Sequence, residues 1–483
     1  MSNEVPAPDD LPGQAESKET DRKGLTDMTV GRPLGHIVRF SIPLLIGNVF
    51  QQFYNMADSI IVGNFMENRD AAQAAVNTGM PVIFLIVALF AGLGMGATIL
   101  LSQNYGAKQM DAVRKTIRTV YTLVLSISVP LTILGIVITP SLMRLLGVPG
   151  SELGDGTMDM AITYVRIIFI GLIGSLGYNI NAGILQGLGD SKTPLRFLIV
   201  STVINVILDL VFVAVFNWGV AGVAIATIIA QAFSWIYGIW YIRKKYPELE
   251  LSLLRLGVSR PILSKMLRLS LPSAIQQSLF SIGTLFMQRL VNEGGESFMA
   301  GFGNATRIDA FVFLPIFSFF AALTTFTGQN MGKGQVARVK QGFRLTLAVS
   351  LGAYAVIATL TILFGRALLG MFNQTETVIE YGMNYIYSVI PFSFLIIIQF
   401  MLVAVMRGSG QVMVPLFTTI IGFILIRVPA AYLLTEYFDK TKMFYSYPIG
   451  WMLSMTAAAV VYATGRWQRK SLVIRDLGES PAT

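Results

Sequence analysis

Along most of the 483 residues the apolar positions neither alternate nor recur on a single helical face; they run on, interrupted only by short polar connections. Runs of this kind read as helices surrounded by apolar material. About 20 mainly apolar residues carry a helix across a hydrocarbon layer ~30 Å thick. Twelve segments reach that length, at 38–62, 76–101, 118–146, 160–186, 194–216, 219–242, 266–291, 303–328, 343–370, 383–406, 413–435 and 445–465. The pattern predicts an all-α integral membrane protein with twelve transmembrane helices.

Charge in the connections then orients the helices. One alternating set is basic, with "KQMDAVRKTIR", "DSKTPLR", "RKKYPELELSLLRLGVSRPILSKMLR", "KGQVARVKQGFR" and "RWQRK", and the other set is not, with "ENRD", "PGSELGDGTMD", "NEGGES" and "NQTETVIE". The excess of Lys and Arg marks the cytoplasmic side. Both termini are therefore expected in the cytoplasm, as an even number of spans requires, with the protein in the plasma (inner) membrane.

Composition narrows the chemistry. Charged residues are 13% of the chain and cysteine is absent, so disulfides, thiolate metal sites and cysteine nucleophiles are excluded. The single histidine, His36, precedes the first apolar run beside Arg39 and reads as interfacial. The net charge of +9 sits in the loops, so it signals topology and not nucleic acid. "GLGMGA" at 92–97 lies within an uncharged span and reads as a close-packing helix face. No phosphate-binding loop occurs, and no cofactor is expected.

The two halves repeat each other. "IVRFSIP" at 37 matches "MLRLSLP" at 266, "QNYGAKQMDAVRK" matches "QNMGKGQVARVKQ", "RLLG" at 144 matches "ALLG" at 367, and "ILQGLGDSKTPL" matches "VMRGSGQVMVPL", at offsets of 229, 226, 223 and 221. Six is an even number of spans, so two such units share one orientation about an axis along the membrane normal, with a cavity between them. The expected division is a disordered cytoplasmic tail at 1–28, lobes at 29–242 and 263–466, a cytoplasmic linker at 243–262, and a second tail at 467–483.

Carboxylates within the spans are costly, about 2.5–3.5 kcal/mol at the bilayer centre, and by default point to function. At ~1.5 Å per residue, Asp58 lies about 28 Å past Arg39, Asp209 about 20 Å past Arg196, and Thr227 about 24 Å before Arg243. Asn205 and Asp209 share a helix face, as do Tyr54 and Asp58. Such an oxygen-rich group could hold Na⁺ or a proton; the rival reading has Asp58 at the outer interface and Asp209 paired internally. In the second half, Asp309 and Arg427 sit at similar depth and read first as a structural ion pair, second as part of a lobe motion.

These residues resemble the multidrug and toxic compound extrusion (MATE) transporters over about 30–466, through "SIPLLIGNVFQQFYNMADSIIVG", "GMGATILLSQNYGAK", "ILQGLGDSKTPL" and "TFTGQNMGKG". The resemblance implies a V-shaped pair of six-helix lobes, alternating access, and export of varied, often cationic and lipophilic compounds in exchange for Na⁺ or H⁺. It implies a DinF-like ion site at Asp58, Asn205, Asp209 and Thr227, with Tyr54, Tyr164 and Asn181 as polar neighbours. Acidic ligands of the NorM-like kind on helices seven and ten have no counterpart here.

A lipid-linked precursor flippase or a major facilitator would share the twelve-helix plan, but the first should have a markedly cationic cavity and the second a different loop after its second helix. An intramembrane transferase would need clustered carboxylates for Mg²⁺, and Asp190 alone does not supply them. A monomer in contact with lipid, not an enzyme, is expected.

Overall fold

The computed structural model describes residues 24–65, 75–76, 83, 92, 94–145, 157–253, 256–469 and 472–473; the side chains of 55–60 and 62–65 lie outside that description. Helices α1 (Pro33–Phe65), α2 (94–106), α3 (Met110–Leu145), α4 (Thr157–Ile170), α5 (Leu172–Gly187), α6 (Lys192–Asp209) and α7 (Gly219–Lys245) come from the first half. The second half supplies α8 (Arg260–Glu293), α9 (Glu296–Lys333), α10 (Val336–Gly370), α11 (Glu376–Val389), α12 (Phe394–Gly408), α13 (Met413–Thr419), α14 (Val428–Tyr437) and α15 (Ser446–Ala463). Among the described residues seven helices are long and apolar enough to cross a membrane, or nine when each bent pair counts as one span. The second span is described continuously only from residue 94, near its end, and α8 and α15 carry more polar positions, Gln276, Gln277, Ser446 and Ser454 among them. With these the molecule has the twelve-span, two-lobe plan the apolar pattern predicts.

Bends recur at matching places. The fourth span turns by 51° between α4 and α5, and the tenth by 49° before α12. Gly171, at the first bend, lets Ile228 of α7 approach where a Cβ would stand. At the second bend Pro391 removes a backbone donor and breaks the helical ladder. The fifth and eleventh spans also depart from α geometry, with π-helical turns at Leu210–Val215 and Ile420–Arg427. Insertions of this kind gather at functional sites.

Apolar side chains are exposed around the outside, as with Val137, Val215, Leu285 and Leu363. In a bilayer these positions meet lipid, so their exposure carries no hydrophobic penalty. Each lobe has its own apolar core, but the first helix of each sends its beginning into the other. Ile37 and Phe40 of α1 are buried in the second lobe's core, while Met266 of α8 is buried in the first lobe's. Ile37 and Met266 are the duplicated positions, so the exchange is reciprocal.

The expected boundaries shift accordingly. Gly24–Met28, assigned by sequence to the tail, are placed, and Leu25 and Met28 are buried. Trp467, the first residue of the expected second tail, is also fully buried. In the linker Tyr246, Leu249 and Leu251 pack into the first lobe's core, and Arg114 donates to the Glu248 carbonyl at 2.9 Å. Tail and linker compositions look polar, but their few apolar residues reach a core that spacing along the chain does not reveal.

Candidate functional site

The lobes meet on the face that carries the basic connections, through the repeated Gln-Asn-x-Gly of α2 and α9. Gln103 donates to the Gly408 carbonyl at 2.8 Å, and Gln329 donates to the Gly187 carbonyl at 3.4 Å. Each glutamine comes from one lobe and each glycine from the other, and both pairs are duplicated positions. Gly106 packs against the backbone of Gln329 and Gly332 against that of Gln103, leaving no room for a Cβ at either. The side-chain oxygens are used symmetrically too: Gln329 accepts from Met28 N at 2.9 Å, and Gln103 from Leu472 N at 2.8 Å. Two segments unrelated in sequence thus complete the same contact. Arg338 further secures the first of them by donating to the carbonyls of Val30 at 2.8 Å and Gly31 at 2.7 Å. His36 bonds the Val30 carbonyl at 2.7 Å.

Beyond this seal lies a cavity of about 280 Å³ between the lobes. Thr98, Ser175, Asn179 and Gln186 line it from the first lobe, and Phe320, Thr325 and Arg407 from the second. Asp209 sits elsewhere, at the end of α6, which packs with α1 and α7. On α6 a stripe of Ser201, Asn205 and Asp209 recurs every fourth residue, and Asn205 and Asp209 are completely buried. Neither end of the Asn205 amide has a hydrogen-bond partner among the described residues. The α-helix passes into π geometry immediately after Asp209. Across from it the Tyr54 hydroxyl donates to Thr227 Oγ1 at 3.4 Å, joining α1 to α7.

Of the residues expected in this site, Tyr54 and Thr227 are in contact, and Asn205 and Asp209 share one buried stripe on an adjacent helix. The Asp58 side chain lies outside the described residues, on a helix that continues unbroken to Phe65. Tyr164 is buried in the first lobe's core. Asn181 is engaged differently. Its Oδ1 accepts from Tyr121 and its Nδ2 donates to the Trp235 carbonyl at 3.0 Å. Both its polar atoms are spent tying α3, α5 and α7 together, so it serves packing. The orphaned Asn205 amide oxygen and the Asp209 carboxylate stand one turn apart on α6, and oxygens of these kinds can serve Na⁺ or a shared proton.

The second lobe's cluster differs from the expected ion pair. Asp309 accepts from the Tyr385 hydroxyl at 3.0 Å, and no Asp309–Arg427 salt bridge occurs among the described residues. The Arg427 guanidinium lies 3.4 Å from the centre of the Tyr447 ring and 4.5 Å from that of Phe423. Tyr385 and Tyr447 meet edge to face at 5.7 Å. Two aromatic rings therefore separate the charges, because the bulk of the tyrosines fills the space that equal depth alone suggested was open. Periodicity could not reveal that.

Asp190, noted only as a lone carboxylate, is a structural hub on the basic face. It accepts from the backbone of Lys192 at 3.0 Å and Thr193 at 2.9 Å, capping α6, and from the Tyr246 hydroxyl at 2.6 Å. Burial first, and the Asp190 charge second, push the Tyr246 phenol well up, so it stays a donor. Asp-x-x-Thr before a helix was the available signal.

Comparison with known proteins identifies the family. The MatE family model matches residues 43–211 and 272–433, most of the chain. The probable multidrug resistance protein YpnP of Bacillus subtilis is 29% identical, covering 92% of this chain and 98% of its own length. The probable multidrug resistance protein NorM of Thermotoga maritima is 25% identical, covering 91% and 94%. A solved multidrug resistance MATE family transporter of the MOP superfamily, in an outward-facing conformation, aligns with a TM-score of 0.82 at 27% identity, over 92% of this chain and 97% of that one.

Proposed function

The chain belongs to the MatE family, and from that premise we propose a multidrug efflux transporter that moves small molecules between its lobes by alternating access and draws energy from Na⁺ or H⁺ exchange. The observation that carries the coupling reading is the buried Asn205–Asp209 stripe ending in a π turn beside the Tyr54–Thr227 contact. Na⁺ here is a co-substrate, and the same oxygens can instead hold a proton. Asp58 completes the site from α1, where Pro43 and Gly47 supply weak points for a rearrangement as the ion enters. No cofactor takes part, no reaction is catalysed, and nucleic acid is not a partner.

The seal at Gln103 and Gln329 lies on the basic-loop face. With that face toward the cytoplasm of the plasma membrane, and both termini there, the structure corresponds to an outward-facing state. Ion binding from outside then favours release of substrate, and opening the seal restores access from the cytoplasm. A lipophilic body suits the cavity walls; the charge it carries is a separate matter. A monomer has one complete cavity and one ion site, so it suffices.

Dye efflux from proteoliposomes under separately imposed Na⁺ and H⁺ gradients tests this reading. Movement driven by one gradient and abolished by Asp209→Asn is the expected result. Movement driven by neither ion would sink antiport.

A further inference from the structure

Among the described residues lining the interlobe cavity, Arg407 alone is charged. It sits in the last turn of α12 and is only 7% exposed. Nη2 donates to Gln276 Oε1 at 2.5 Å, Nη1 faces Met95 Sδ at 2.9 Å, and the guanidinium lies 5.3 Å from the Phe320 ring. Its Nε has no hydrogen-bond partner among the described residues. An amide, a thioether and a ring face are weak compensation for a buried cation with five donors. No carboxylate among the described residues pairs with it.

The duplicated unit forms the same element without this charge. At the offset of 221 that joins "ILQGLGDSKTPL" to "VMRGSGQVMVPL", Arg407 corresponds to Gln186, which lines the same cavity from the opposite lobe. The first lobe makes the same helix end with a neutral side chain. The second keeps a buried, underpartnered guanidinium beside a phenyl ring, facing space about 280 Å³ in volume.

We propose that Arg407 anchors an organic anion: a substrate with an apolar or aromatic body and a carboxylate or sulfonate that docks on the guanidinium, its body lying along Phe320, Leu172 and Leu176. A planar oxyanion accepts two parallel N–H bonds from an arginine, which gives both affinity and orientation. This inference rests on the transporter reading and departs from the cationic cargo that the family resemblance implies. Asp209 is not among the residues lining the cavity, so it remains available for the coupling ion.

Two xanthene dyes of opposite charge test it, sulforhodamine B as the anion and rhodamine 6G as the cation. Fluorescence anisotropy on the purified full chain reads binding, and proteoliposomes read transport. Arg407→Gln, which copies Gln186, is expected to weaken sulforhodamine B binding about tenfold to a hundredfold, the value of one charged contact, while rhodamine 6G binding is unchanged. Equal losses for both dyes, or no loss for the anion, would overturn the proposal. Arg407→Lys supplies the same test if Arg407→Gln is not recovered: it keeps the anion preference at lower affinity, and equal losses again overturn it. Arg407-dependent binding of sulforhodamine B without movement under any gradient would refute transport and leave the anchor standing. Gradient-driven movement of rhodamine 6G with no binding of sulforhodamine B would do the reverse.

Discussion

The two lobes are copies of one six-helix unit, yet their buried polar clusters are built differently. At the duplicated positions Asn205 and Asp209 face Ile426 and Ala430, and Arg427 faces Val206. In the first lobe a carboxylate occupies the stripe before a π turn, one helical turn from an amide whose polar atoms lack hydrogen bonds among the described residues. In the second a guanidinium ends the π segment, stacked on Tyr447, with Tyr385 relaying to Asp309. A cluster that contains its own cation and its own donors is balanced for stability. A cluster of oxygens with an orphaned amide suits something that comes and goes.

The largest expected break in that contrast is functional. Asp209→Asn, and likewise Asp58→Asn, should abolish gradient-driven efflux while membrane insertion and elution on size exclusion stay normal; Asp309→Asn should leave most of it. Equal transport defects at Asp209 and Asp309 would erase the distinction between the lobes.

Next comes stability in the second lobe. Arg427→Met removes a buried guanidinium from the faces of Tyr447 and Phe423, desolvated cation–π contacts worth about 2 kcal/mol each, and should show as a lower midpoint of thermal unfolding in detergent. Adding Asp309→Asn should recover part of that loss. A double variant no more stable than Arg427→Met alone would show that the two charges are not coupled through Tyr385 and Tyr447.

The seal provides a smaller, symmetric effect. Gln103→Ala and Gln329→Ala each remove one donor bond across the lobes and one acceptor bond to a terminal segment, each worth about 1 kcal/mol. Because the chain has no cysteine, Thr98→Cys is a clean reporter in the cavity. Both alanine variants should speed its labelling by an impermeant maleimide from the basic-loop side, and by similar factors. A response from only one glutamine would mean the symmetry of the contact is not matched in its energetics.

The smallest effect should be at Asn205. Replacing a buried amide with unsatisfied atoms by Leu should leave thermal stability unchanged or slightly raised, since no hydrogen bond among the described residues is lost. A large destabilisation would place Asn205 with Asn181 as a packing residue.

Much of this was legible in the chain. Long apolar runs have few ways to satisfy their backbone in lipid, so span count and helical class follow from composition. The repeat offsets were also readable, and the bends and the two halves of the seal, seen only in the structure, fall at positions those offsets relate. Site membership was less secure. Asn181 and Asn205 are both amides within spans, and only packing separates the one held by Tyr121 and Trp235 from the one with orphaned atoms. Equal depth suggested an Asp309–Arg427 pair, but depth fixes one coordinate of three.

By itself, then, the sequence determined what local and periodic physics can impose: helices long enough to span, a duplicated unit, and acids placed within the spans. Tertiary structure decided what depends on meeting across the chain. It sent Ile37 and Met266 into each other's lobes, buried Met28 and Trp467 at the ends of polar tails, set two tyrosines between Asp309 and Arg427, and turned Arg407 toward the cavity. Those contacts join residues hundreds of positions apart, where side-chain shape and lobe packing choose the partner and no spacing along the chain encodes it.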